Sequence, residues 1–362
     1  MSIDRVALAP DYTISRIIKG GWQLAGGHGP IARERALADM RAFVDAGITT
    51  FDCADIYTGV EALIGEFLGA LPPSLRQGIR VHTKYVPDRA ALPTLTAPAI
   101  AAAIEGSLRR LRVEALDLVQ FHWWDYAIPG YVDAALVLTR LKETGKIRQI
   151  GVTNFDVPRL GEILAAGVPV VSHQVQCSLI DQRPLGAMRD LCREHAIALL
   201  AYGSLAGGFL SDRYLGAPEH GGALANRSLV KYRLVINEFG GWRLFQSLLQ
   251  VLHAVARRHE TSIGAVAVAY TLQLPQVAAA IVGATRAAHL ERTVQAAALA
   301  LQPEDLAAIE DVRACATGPH GDVYTLEREA GGPHARIMKD DLNAAREATA
   351  LPGPVRRSGT DR

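Results

Sequence analysis

The chain is poor in cysteine. Its 362 residues include four, Cys53, Cys177, Cys192 and Cys315, and no two form a close pair. That spacing offers neither a disulfide framework nor a zinc site, so no metal is expected. Surplus charge is also missing: 38 Lys and Arg face 37 Asp and Glu, for a formal charge of +1. Nucleic acid and anionic membrane are therefore not expected as partners. Long apolar runs are missing too. The most apolar late stretch, AVAVAYTLQLPQVAAAIVG, is broken by Gln273, Pro275 and Gln276 and reads as helix, turn and strand rather than a membrane span. The opening MSIDRVALAPDYTISRII has no basic segment leading into an apolar core, which argues against a secretory signal and for a reducing, cytoplasmic setting.

What the chain does have is rhythm. Short apolar runs that read as strands, RIIKGG, TTFDCAD, IRVHTK, LDLVQFH, IRQIGVT, PVVSHQV, IALLAYG and VAAAIVGA, alternate with stretches of helical periodicity. Eight strand–helix repeats predict a closed α/β barrel, the (β/α)₈ TIM barrel. An open dinucleotide-binding sheet would carry a G-x-G-x-x-G turn after its first strand. The stretch found there, GGWQLAGGHG, has the wrong order and spacing. RVALAPDYTIS predicts a short hairpin ahead of the barrel, and residues 205–242 a long loop after the seventh strand. Residues 1–314 are expected to form one domain, hairpin included. Residues 315–362 form a C-terminal extension with a frayed end, whose segment GDVYTLERE either crosses the barrel mouth or packs outside.

Four polar residues stand at or just beyond strand ends: Asp52 and Tyr57 in FDCADIY, Lys84 in VHTKY and His122 in LVQFHWW. Active sites of parallel barrels lie at the carboxyl edge of the sheet, so the four are expected in one site. Their chemistry fits carbonyl reduction. A phenol such as Tyr57 can donate a proton, but its ordinary pKa near 10 is high for exchange near neutrality. A nearby Lys84 would favour the phenolate, Asp52 would hold Lys84, and His122 could donate a hydrogen bond to the carbonyl oxygen. Glu61, in the first turns of the next helix, reads as an anchor for the Tyr57 loop.

FDCADIY with Glu61, HTK, QFH, GVTNF, VSHQVQCSL, AYGSLAGGFL and IVGATR, in that order, resemble the aldo-keto reductases from about residue 14 to residue 298. The resemblance implies a (β/α)₈ barrel that binds a nicotinamide dinucleotide without a Rossmann domain, with Tyr57, Lys84, Asp52 and His122 as the catalytic tetrad. It implies that Thr153, Asn154 and Gln174 hold the nicotinamide carboxamide and that Tyr202 stacks on the ring. Gly203, Leu205 and Gly207 would cover the pyrophosphate, and Gly21, Trp22 and Asp52 would also face the cofactor. At the adenosine end many relatives have Ile-Pro-Lys; here Val282 and Gly283 replace Pro and Lys, leaving Arg286 and His289, with Arg292 and Thr293 as further departures. On this basis NADP(H) stands ahead of NAD(H), which stays open. Trp22, Tyr57, His122, Trp123 and Trp124 form an aromatic substrate rim suited to a small carbonyl compound or sugar. An NAD-dependent aldose or pyridoxal dehydrogenase, and a cofactor-binding regulatory subunit, remain alternatives. Nothing in the pattern assigns an oligomeric state.

Overall fold

The computed structural model describes residues 3–26, 32–219, 221–283 and 290–343. Strands β1 (Arg5–Ala9) and β2 (Tyr12–Ser15) pair antiparallel as the expected hairpin. Eight parallel strands then close a barrel: β3 (Ile17–Gly20), β4 (Thr50–Asp52), β5 (Arg80–Tyr85), β6 (Leu116–Phe121), β7 (Ile147–Thr153), β8 (Val170–Gln176), β9 (Ala198–Tyr202) and β10 (Val277–Val282). They run in sequence order, and β10 returns to pair with β3. The (β/α)₈ expectation holds.

Alternation along the strands gives the barrel interior two kinds of layer. Ile18, Leu118, Leu200 and Ala279 cluster with Leu8, Tyr12 and Ile14 of the hairpin, which plugs the amino-terminal end. Two residues beyond Leu118 on β6 comes Gln120, joined by Lys84 from β5 and Gln174 from β8, all buried. Outside, helices lay apolar stripes against the strands or, as with Arg227–Phe239 and Gly241–Arg258, against one another. Helix Ala97–Leu111, capped by the Thr96 hydroxyl, buries Ile100, Ile104, Leu108 and Leu111. Helix Val60–Ala70 stops just before Pro72–Pro73, as proline requires.

The structure departs from the sequence reading in the long segment after β9. It is not all loop: a helix, Arg227–Phe239, lies inside it, capped by the Asn226 side chain and buried along Tyr232, Val235, Ile236 and Phe239. The tail settles as well. It crosses the barrel mouth, and the Arg328 guanidinium donates to the carbonyls of Trp123, Trp124 and Asn154, at 2.7, 3.2 and 2.8 Å. Those carbonyls belong to the loops after β6 and β7, so the tail staples loops of the catalytic edge. The expected frayed end, from residue 344 on, lies outside the described residues. Among the described residues no helix is long and apolar enough to cross a membrane, and no cluster of metal-binding side chains occurs.

Candidate active site

The tetrad assembles because three neighbouring strands, β4, β5 and β6, deliver it to one edge. Lys84 Nζ lies 2.5 Å from Asp52 Oδ1 and donates to the Cys53 carbonyl at 2.9 Å. The second carboxylate oxygen, Oδ2, accepts from Gln174 Nε2 at 2.7 Å and Gln120 Nε2 at 2.9 Å. Gln174 Nε2 also meets Gln120 Oε1 at 2.8 Å. A buried ion pair is sound only when its remaining lone pairs are satisfied, and the two amides do that. Tyr57 sits on the loop beyond β4, with Lys84 Nζ 4.9 Å from its ring centre. Glu61 anchors that loop as expected: it accepts from Thr83 Oγ1 and Arg110 Nε, each at 2.6 Å.

Electrostatics separates the roles. Burial opposes the Lys84 charge, but Asp52 and Tyr57 outweigh it and hold the ammonium above the ordinary lysine range. Burial raises Tyr57 above its ordinary value, while Lys84 pulls the other way. Lys84 acts in the expected direction, but desolvation outweighs it, and Tyr57 keeps its proton at neutral pH. Burial, with Arg328 adding to it, lowers His122 to about 3 against a weak contribution from the Thr153 carbonyl, so the ring is neutral.

The tautomer follows from the same contact. Thr153 O, 3.2 Å from Nδ1, can only accept, so Nδ1 carries the proton. Nε2 is then an acceptor, buried without a partner among the described residues. The expected donation from His122 to a carbonyl oxygen is thus unavailable to the unliganded ring until it changes tautomer or gains a proton. Trp124 and Tyr324 fix the ring edge-to-face, at centroid distances of 4.4 and 5.8 Å.

A cavity of about 480 Å³ opens above the tetrad. It is lined by Tyr57, Lys84, Asp52 and His122, and also by Trp22, Trp124, Thr153, Asn154, Gln174, Tyr202, Gly203, Leu205, Gly207 and Gly283. Tyr202 donates to Asn154 Oδ1 at 2.9 Å, which sets a flat ring beside an amide. Thr153 Oγ1 donates to the Gln174 carbonyl at 3.1 Å. The Gln174 amide nitrogen, expected at the carboxamide, is engaged by Asp52 and Gln120. Gly203 and Gly207 have φ of 82° and 65°, in the left-handed region that favours glycine. A side chain on either would strike the Tyr232 ring. This glycine cradle, the stacking surface of Tyr202 and the Asn154 amide suit a nicotinamide dinucleotide.

Two expected residues are not on the wall. Trp123 is a core residue: its indole donates to the Asp125 and Ile128 carbonyls, both at 3.0 Å, and its ring packs against Phe121 and Tyr131. Consecutive residues leaving a strand point opposite ways, so Trp124 takes the rim and Trp123 the interior. Gly21 donates its amide to Asp52 O at 2.7 Å, and a β-carbon there would lie 2.7 Å from that oxygen. It closes the turn below the cavity. Gly283 does line the wall, and a side chain there would displace Gln23. Arg286 and His289 lie outside the described residues.

Sequence reasoning missed Gln23, Gln120, Arg227, Ser228, Lys231, Tyr232 and Tyr324. The helix carrying four of them had a legible signal: Asn226 as cap, then apolar residues at 232, 235, 236 and 239. Gln120 had only its place two residues before His122 on the same strand.

Comparison with known proteins accords with this geometry. The profile of the Aldo/keto reductase family matches residues 16–314. Flagellar radial spoke protein 5 of Chlamydomonas reinhardtii is 30% identical over 285 residues, 62% of this chain and 53% of that protein. The chain thus spans about half the length of that relative. The NADH-specific methylglyoxal reductase of Escherichia coli is 26% identical over 317 residues, 82% of this chain and 93% of that protein. In three dimensions, a glycerol dehydrogenase from Gluconobacter oxydans superposes with a TM-score of 0.73 at 24% identity, covering 89% of this chain and 98% of that one. That likeness is one of fold.

Proposed function

The chain belongs to the aldo/keto reductase family, and on that premise we propose that it interconverts a small carbonyl compound and its alcohol, with Tyr57 as the general acid–base group. The substrate class is an aldehyde, a ketone or a sugar hemiacetal. A bound nicotinamide dinucleotide supplies or accepts the hydride. Tyr202, Asn154 and Thr153 would hold its reactive ring, and the Gly203–Gly207 loop its phosphates.

One observation carries the role of Tyr57. Lys84 is locked as a cation by Asp52, and His122 is neutral with its one proton facing Thr153 O. Tyr57 is then the tetrad member that keeps a transferable proton facing the cavity. In reduction the phenol O–H bond breaks and the proton goes to the carbonyl oxygen as hydride reaches the carbon. Lys84 stabilises the phenolate left behind. In oxidation the phenolate takes the proton back from the alcohol. Trp22, 5.1 Å from Tyr57 between ring centres, and Trp124 enclose the reacting group.

NADP(H) is the favoured cofactor, through Arg286. NAD(H) is the second reading, because the neutral Gln23 fills the space beside Gly283, where the relatives' lysine would stand. The test is fluorescence titration with the four oxidised and reduced dinucleotides, followed by turnover against a panel of aldehydes and aldoses. Quenching with hydride transfer is expected. No quenching by any of them would end both this reading and that of a cofactor-binding subunit.

A further inference from the structure

The helix after β9, Arg227–Phe239, turns two adjacent faces to the cavity. Ser228 and Tyr232, four residues apart, pack on the glycine loop: a β-carbon on Gly207 would lie 2.8 Å from the Tyr232 ring and 3.2 Å from Ser228 O. Arg227 and Lys231, also four apart, lie about 100° around the helix and face the tail. The first face belongs to the side where the dinucleotide phosphates would lie. The second borders the substrate mouth at Tyr324, with Lys231 Nζ 5.5 Å from the centre of that ring and 5.1 Å from that of Tyr202. Tyr324, on that mouth, touches the His122 ring; burial and Glu327 raise its hydroxyl above the ordinary value, while Arg328 and Arg227 pull the other way.

The charges on the second face do not cancel. Lys231 Nζ is 3.5 Å from Glu327 Oε1, Glu327 pairs with Arg183 at 3.2 Å, and Arg183 with Asp181 at 2.8 Å. That set holds as many anions as cations. Arg227 is different. It donates to the Ile337 carbonyl and has no carboxylate partner among the described residues. Lys339, exposed at the rim, has none either. Asp52 is the one carboxylate on the described cavity wall, and Lys84 already holds it. The wall therefore presents uncompensated positive charge beside an aromatic rim, on the substrate side.

We infer that Arg227, with Lys339 at the rim, forms an acid-group subsite, so that the preferred substrate is a carbonyl compound carrying a carboxylate or a phosphate. The guanidinium fork matches either group through paired N–H donors. The carbonyl part of this inference rests on the function proposed above; the acid part does not, and the experiment separates them.

The protein, saturated with the dinucleotide it binds more tightly, is titrated with three unreactive probes: benzoate, phenylphosphonate and the neutral benzamide. At least one acid should bind about tenfold or more tighter than benzamide, the scale of a hydrogen bond to a charged group. The stronger acid identifies the group recognised. R227Q should bring acid and amide to similar affinity, and R227K, which keeps the charge and the contact to the tail, should retain much of the preference. Equal binding of all three probes by the wild type, or an acid preference that survives R227Q, overturns the subsite. R227Q that weakens the dinucleotide and spares the acid preference also overturns it, because the guanidinium would then serve the cofactor. Turnover of 4-carboxybenzaldehyde against benzaldehyde is the second readout. The acid should be favoured mainly through KM. If neither is reduced while the benzoate preference stands, the carbonyl reading fails and the subsite is upheld.

Discussion

Two layers of one barrel interior, a pleat apart, are built on opposite chemistry. The lower layer, Ile18, Leu118, Leu200 and Ala279 under the hairpin's Leu8, Tyr12 and Ile14, is held by apolar burial, which has no direction. The upper layer, Asp52, Lys84, Gln120 and Gln174, is held by hydrogen bonds of 2.5 to 2.9 Å. The lower layer should tolerate changes that preserve volume. The upper should not tolerate loss of any member, since each group left behind would be buried without its partner. The lower layer thus carries stability alone and the upper layer couples stability to function, so substitutions in the two layers should fail in different ways.

Lys84→Met breaks the upper layer and should have the largest effect. Asp52 would stay buried without its cation, at a cost of about 3–5 kcal/mol. Urea unfolding should show that loss, and turnover should fall with it. A variant of unchanged stability would mean that the two glutamines suffice to hold the carboxylate. Leu200→Ala breaks the lower layer. It should cost about 2–5 kcal/mol in the same assay, while the protein still folded keeps its turnover and cofactor affinity. A selective fall in turnover would erase the division between the layers.

Much of this was legible beforehand. The eight strands show as short apolar runs separated by helical stretches, some of them stopped by Gly or Pro, and the tetrad stands at the carboxyl ends of three of those runs. What was missed depends on partners far away in the chain. Arg183 meets Glu327 across 144 residues, and Arg328 reaches Trp123 across 205, so local pattern could not seat the tail over the mouth. The helix from Arg227 was hidden differently: Gly207, Gly208, Gly216, Gly221 and Gly222 made the whole segment read as loop. Trp123 was misplaced because side-chain direction after a strand end is set by the turn, here closed by the indole itself.

Smaller effects sharpen the same contrast. Arg286→Ala should weaken NADPH more than NADH, by about 1.5–3 kcal/mol, if Arg286 meets the 2′-phosphate. Dissociation constants for both cofactors at one salt concentration decide it, and an equal change in both would favour NAD(H). Acid should find the neutral histidines. Burial lowers His82 to about 4 and His122 and His173 to about 3. Below the ordinary value near 6.5 the unfolded chain takes up protons that the folded one refuses, so their contribution is intact above pH 6.5 and lost as pH falls toward 4 and 3. The melting temperature should decline across that window. A flat profile between pH 6.5 and 4 would show that the rings become charged in the folded protein.

The central claim is that Tyr57 alone of the tetrad keeps a transferable proton. The most direct measurement is the rate of hydride transfer by Tyr57→Phe, with cofactor affinity determined on the same preparation. The ring and its contact with Trp22 remain, so the dinucleotide should bind nearly as before. The rate should fall by roughly 100- to 10,000-fold, the span for a placed acid–base group. Hydride transfer at close to the wild-type rate, with cofactor bound, would contradict the account and move the proton to another group.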